Sequence, residues 1–172
     1  MEIGDTMSRY CSEPISINEY FRIRKSSDAL LEYIDGFVYM SPSPSTKHQR
    51  VSSKLQLKFG NFLEDKSCEV FPAPYDIELK DDSIEGTKIV IPDISIICKK
   101  SGFTDARYIG VPELIVEILS PSNQSHDLVI KLNLYMTYGV KEYWIVNPML
   151  NTVTVYALND EGMYEQHDIK TE

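Results

Sequence analysis

The sequence predicts a mixed central β-sheet flanked by helices, an α/β (α+β) fold. Two observations carry this. The order of patterned segments is helix, hairpin, helix, several strands, helix, strands. The central strand candidates, Lys88-Ile-Val-Ile-Pro-Asp-Ile-Ser-Ile-Ile and Leu114-Ile-Val-Glu-Ile-Leu, lack polar alternation, as expected of strands covered on both faces.

The elements follow in order. Residues 1 to 12 read as a flexible N-terminus and 13 to 172 as one domain. Ser16-Ile-Asn-Glu19 is a capping box that opens a helix running to about Arg24. Ala29 to Ile34 and Phe37 to Met40 are strand-like and flank Asp35-Gly36, a strong hairpin signal. Ser41-Pro-Ser-Pro-Ser-Thr is a loop whose end can cap the next helix. Val51, Leu55, Phe59 and Phe62 have helical spacing between about Lys47 and Asp65, and Gly60 weakens that helix without ending it. Strands are expected near 68–80, 88–98 and 113–119, with a helix from about His126 to Tyr138 closed by Gly139. Lys141 to Asn147 and Thr152 to Ala157 are further strands, and 163–169 suits an edge strand.

At 172 residues with 42% hydrophobic content, the chain can bury a substantial core. No apolar stretch has the length of a membrane span, and the N-terminus lacks the pattern of a signal peptide. A cytoplasmic protein with no membrane partner is expected. Cys11, Cys68 and Cys98 are odd in number and widely spaced, so they suggest neither a zinc site nor a disulfide framework. The net charge of −9 argues against a general nucleic-acid coating protein but does not exclude a nuclease, whose basic residues can cluster locally.

Three charges stand where the pattern predicts an apolar interior. Glu117 has three apolar neighbours before it and two after. Such a carboxylate must be paired, protonated or bound to a metal. Asp93 follows Pro92 in the other apolar run. If the two strands pair, the carboxylates can lie about 5 Å apart, and a divalent cation relieves their repulsion. Lys131 shares a helical stripe with Leu128, Tyr135 and Tyr138, so it should face the sheet. The plainer alternatives are a turn aspartate, a structural ion pair of Glu117 with Arg107, and a lysine that snorkels to water. Together the three charges outline a metal-dependent, phosphodiester-cleaving site. No phosphate loop, serine nucleophile elbow or Cys–His pattern is present.

Five segments also carry a resemblance: Leu31-Glu-Tyr-Ile-Asp-Gly-Phe-Val; Ser41-Pro-Ser-Pro with His48; Val90-Ile-Pro-Asp-Ile-Ser-Ile; Pro112-Glu-Leu-Ile-Val-Glu-Ile-Leu-Ser-Pro-Ser; and Lys131 through Tyr135 to Gly139-Val-Lys-Glu-Tyr-Trp-Ile-Val-Asn-Pro. In this order, from about residue 13 to 158, the chain resembles the Uma-two family of restriction-endonuclease-like proteins. The resemblance implies the PD-(D/E)XK nuclease fold, with Asp93 and Glu117 as ligands of Mg²⁺ or Mn²⁺. It implies a lysine that assists the attacking water or the phosphate. The position two after Glu117 is Leu119, and the Uma-two pattern supplies the lysine from the following helix, at Lys131. Glu32, His48 and Ser120 are secondary site residues on the same ground.

The expectation is therefore a Mg²⁺-dependent endonuclease acting on DNA. A homodimer is a natural arrangement, because two sites can cut two strands. The rival expectations are an inactive nuclease fold kept for binding, and a metal-dependent hydrolase of a smaller phosphoester.

Overall fold

The computed structural model describes residues 10–41, 43–120 and 126–170. Residues 1–9, most of the stretch read as a flexible N-terminus, lie outside them.

Helix α1 (Ile17–Ser26) starts where the Ser16 hydroxyl accepts the Glu19 N–H. Strands β1 (Leu31–Ile34) and β2 (Phe37–Met40) form the expected hairpin. Its Asp35-Gly36 corner has φ values of +47° and +97°, the signs that a type I′ turn demands. Helix α2 (Thr46–Leu63) is capped by Ser45 and runs through Gly60.

The two longest strand expectations each divide. The 68–80 stretch becomes β3 (Glu69–Pro72) and β4 (Ile77–Leu79), with Pro74 between them. The 88–98 run becomes β5 (Lys88–Val90) and β6 (Ile94–Ile97), which belong to different sheets. Pro92 has no N–H to offer a ladder, so the chain leaves one sheet there and enters the other. Asp93 sits at this crossing rather than inside a strand.

After β7 (Tyr108–Ile109) and β8 (Leu114–Ile118) comes helix α3 (His126–Thr137). Gly139 closes it at φ +73°, donating to the Met136 carbonyl. Strands β9 (Glu142–Asn147), β10 (Thr152–Leu158) and β11 (Tyr164–Lys170) complete the order, with β11 at the edge.

The strands form two mixed sheets instead of one. One runs β2-β1-β5-β4-β7 and the other β11-β10-β9-β8-β6-β3. The β8–β9 and β4–β7 pairs are parallel and the remaining pairs antiparallel. On one face of the larger sheet, Ile94, Val116, Ile118 and Val146 pack with Val51, Leu55 and Phe59 of α2. On the other face Ile115, Tyr143 and Ile145 pack with Tyr135 and Tyr138 of α3 and with Ile77, Leu79 and Val90 of the smaller sheet. Both faces are therefore covered, which explains the unbroken apolar runs. Tyr20 of α1 closes the far side of the smaller sheet with Leu31, Tyr33 and Ile89.

The expectation of no disulfide is corrected. Cys68 and Cys98 are bonded. They flank β3 and β6, whose register pairs Glu69 with Ile97, so the next pair outward brings the two cysteines face to face. Sequence spacing alone cannot reveal such a cross-strand neighbour.

Candidate active site

Strands β6 and β8 pair Ile94 with Val116. Continuing that antiparallel register by one residue sets Asp93 opposite Glu117. Asp93 uses Oδ2 for two contacts, accepting the Ile118 N–H at 2.7 Å and meeting His48 Nε2 at 3.0 Å. The hydrogen bond to Asp93 raises the His48 pKa above its usual value, against burial that would lower it. The Asp93 contact thus favours the imidazolium form.

Glu117 is 13% exposed and engages Oε1. The Lys131 ammonium donates to that oxygen at 2.8 Å and the Tyr135 hydroxyl at 3.1 Å. Burial pushes the Glu117 carboxyl up to about 7; Lys131 opposes the rise, while the Asp93 and Glu32 charges add to it. Burial alone would lower the Lys131 pKa, but Glu117 and Glu32 outweigh it and hold the ammonium charged.

Glu32 is fully buried on β1. Its Oε1 accepts the Ile91 N–H at 2.7 Å and lies 3.2 Å from Lys131 Nζ. Its Oε2 is buried and has no hydrogen-bond partner among the described residues. Lys131 therefore lies between two carboxylates, one from each sheet. It does not snorkel to water. The Arg107 alternative fails as well, because Arg107 pairs with Glu78 at 2.7 Å.

Asp93, Glu117, Lys131, His48 and Ser120 line one cavity of about 180 Å³. Ser120 is buried two residues past the end of β8. Glu32 stands behind the cavity wall, touching it through Lys131. Tyr135 escaped sequence reasoning as a Glu117 partner. Its position four residues after Lys131, on the same helical face, was the available signal. Ser52 and Gln56 line the cavity at one and two helical turns beyond His48, and their i, i+4 spacing was the available signal.

The donor set fits a magnesium-like ion. Asp93 Oδ1 and Glu117 Oε2 accept no hydrogen bond from the described residues. Among those residues no cluster of three or more His, Cys, Asp or Glu side chains could hold a metal. Two carboxylates with most positions left to water and phosphate is the usual protein share for Mg²⁺.

Comparison with known proteins agrees with this architecture. A solved structure from Anabaena variabilis, described as "a putative nuclease belonging to DUF820", superposes with a TM-score of 0.74. It shares 20% identity and covers 92% of this chain and 86% of its own, a likeness that shows the fold. An uncharacterized protein from Synechocystis sp. is 28% identical over 149 residues, 86% of this chain and 76% of its own length. The sequence profile of the Uma2 family, described as "Putative restriction endonuclease", matches residues 17–172. The chain belongs to the Uma2 family.

Proposed function

We propose that this protein is a divalent-cation-dependent endonuclease acting on DNA, with Asp93 and Glu117 as the cation ligands and Lys131 as the catalytic cation. One observation carries the reading. Two carboxylates from in-register positions line one cavity, each with an oxygen that accepts no hydrogen bond from the described residues, beside an ammonium held on Glu117.

In this reading Asp93 and Glu117 would hold Mg²⁺ or Mn²⁺, which when bound would supply Lewis-acid stabilisation of phosphoryl charge and a more acidic water. The Ile118 N–H and His48 fix the Asp93 carboxylate, so its free oxygen is aimed without further ordering. Tyr135 and Lys131 do the same for Glu117. Glu117 must give up its proton before it ligates, and its raised pKa makes that step sensitive to pH near neutrality. Lys131 neutralises the phosphate or orients the attacking water. Its raised pKa keeps it a donor, so it is not a free base.

The same groups would serve a smaller phosphoester, and the cavity of about 180 Å³ favours that second reading. Calorimetric titration with Mn²⁺, followed by plasmid nicking and hydrolysis of a small aryl phosphodiester, tests both. Cation binding with nicking supports the endonuclease. Hydrolysis of the small ester alone selects the second reading. Equal cation affinity in wild type and Glu117→Gln removes both.

A further inference from the structure

Helix α2 carries Lys47, Arg50, Lys54 and Lys58 and not one acidic residue over its 18 positions. The chain as a whole has 26 acidic residues against 17 Lys and Arg. All four cations are exposed, and their spacing of three, four and four places them on one helical stripe. Among the described residues they form no ion pair, as Lys25, Lys66, Lys80, Lys99 and Lys141 form none either; what sets the four apart is their alignment along one acid-free helix.

This pattern opposes the helix's own preferences. Lys47 lies in the first turn, at the positive end of the helix dipole, where anions are favoured. Arg50 with Lys54, and Lys54 with Lys58, are like charges at i,i+4, which destabilise a helix. A stripe serving only solubility would interleave glutamates. Four unpaired cations retained against these effects indicate an external polyanion.

The geometry of α2 selects its form. At about 100° per residue, the core stripe Val51, Leu55 and Phe59 separates two flanks. His48, Ser52 and Gln56 line the cavity on one flank, and the basic ridge runs along the other. A single strand lying in the cavity would not meet the ridge. Two strands astride the helix would meet both. A helix about 10–12 Å wide with its side chains matches the major groove of about 12 Å. The ridge spans about 16 Å, some five base steps along a strand.

We infer that Lys47, Arg50, Lys54 and Lys58 form a phosphate-binding ridge for double-stranded nucleic acid, which lies astride α2 with one strand at the cavity and the other on the ridge. The choice of a duplex rests on the proposed cavity function; the anion-binding ridge stands on the helix alone.

The test compares wild type with a variant carrying Lys47→Gln, Arg50→Gln, Lys54→Gln and Lys58→Gln. Binding of a short labelled duplex is followed by anisotropy in EDTA across a salt series. The variant should keep its circular dichroism and melt close to wild type, since the repulsion relieved along the ridge offsets the rise in net charge from −9 to about −13. Its duplex affinity at low salt should fall about tenfold or more, and its log–log salt slope should flatten by about 2–4. A control with Lys80→Gln, Lys99→Gln and Lys141→Gln, exposed elsewhere, should bind like wild type. An unchanged slope in the ridge variant overturns the inference. So does an equal loss in the control, or a single strand bound as tightly as the duplex. Wild type that binds no duplex at low salt overturns it too. Ridge-dependent duplex binding without cleavage under any cation would uphold the ridge while sinking the proposed endonuclease.

Discussion

The Lys131 ammonium lies 2.8 Å from Glu117 and belongs to a helix packed against the sheet that carries that glutamate. The same nitrogen lies 3.2 Å from Glu32, on the smaller sheet. One cation thus balances two buried carboxylates from different sheets. With Asp93 and the His48 imidazolium included, the cluster has one negative charge in excess when Glu117 is ionised. A proton on Glu117 cancels that excess, and a bound divalent cation would more than offset it, leaving the cluster one positive charge. Proton and cation therefore compete for the same carboxylate.

Glu117→Gln should abolish cation binding and leave the fold intact. The folded-state pKa of about 7 exceeds the ordinary 4.5, so the folded protein binds the proton more tightly than the unfolded chain. Stability from this group is full below about pH 4.5, falls as pH rises towards 7, and is level above. Cation-free wild type should therefore lose about 1–3 kcal/mol relative to Glu117→Gln between about pH 5 and pH 8. Thermal melts in EDTA across that range check this. A parallel pair of curves would count against a raised Glu117 pKa.

His48 should contribute stability with a pH dependence of its own. Its folded-state pKa is raised by the Asp93 hydrogen bond, so its stabilising contribution is complete below the ordinary 6.5 and is lost as pH rises through the higher folded value. His48→Gln should be less stable than wild type in mild acid, and the gap should narrow in mild alkali. Melting the two proteins in parallel measures the gap, and a gap that widens with pH would exclude an imidazolium–Asp93 pair.

Much of this site was legible in the sequence because charge in an apolar run is costly wherever the run folds. Glu117 and Lys131 each announced a partner, and they found each other. The hairpin at Asp35-Gly36 and the helix end at Gly139 were legible because few residues tolerate positive φ. The break at Pro92 was not foreseen. Proline signals that a strand is interrupted, but only the tertiary arrangement decides that the two halves join different sheets. Only the family resemblance points to Glu32. Its alternating strand context gives no hint of full burial, and its partners, Ile91 and Lys131, are 59 and 99 residues away.

Cleavage should require Mg²⁺ or Mn²⁺, stop in excess EDTA, and weaken steeply with salt, because phosphate contacts must overcome a net charge of −9. Plasmid nicking over a salt and chelator series measures each. Undiminished nicking in EDTA would mean that Asp93 and Glu117 do not act through a cation.

Lys131→Met separates the catalytic role of this lysine from its structural one. An ammonium cannot ligate a cation, so Mn²⁺ should still bind by calorimetry while turnover is lost. The structural effect comes from Glu32, which is fully buried and keeps only the Ile91 N–H as a donor among the described residues once the ammonium is gone. Removing one member of a buried pair costs about 3–5 kcal/mol, because the other charge is left uncompensated. Glu117 contributes less to that cost, since it can take up a proton near neutral pH. Adding Glu32→Gln to Lys131→Met should then restore much of the stability, because Gln keeps an acceptor for the Ile91 N–H and carries no charge. A double variant as unstable as the sum of its single variants would show that Glu32 and Lys131 act independently, despite their 3.2 Å contact.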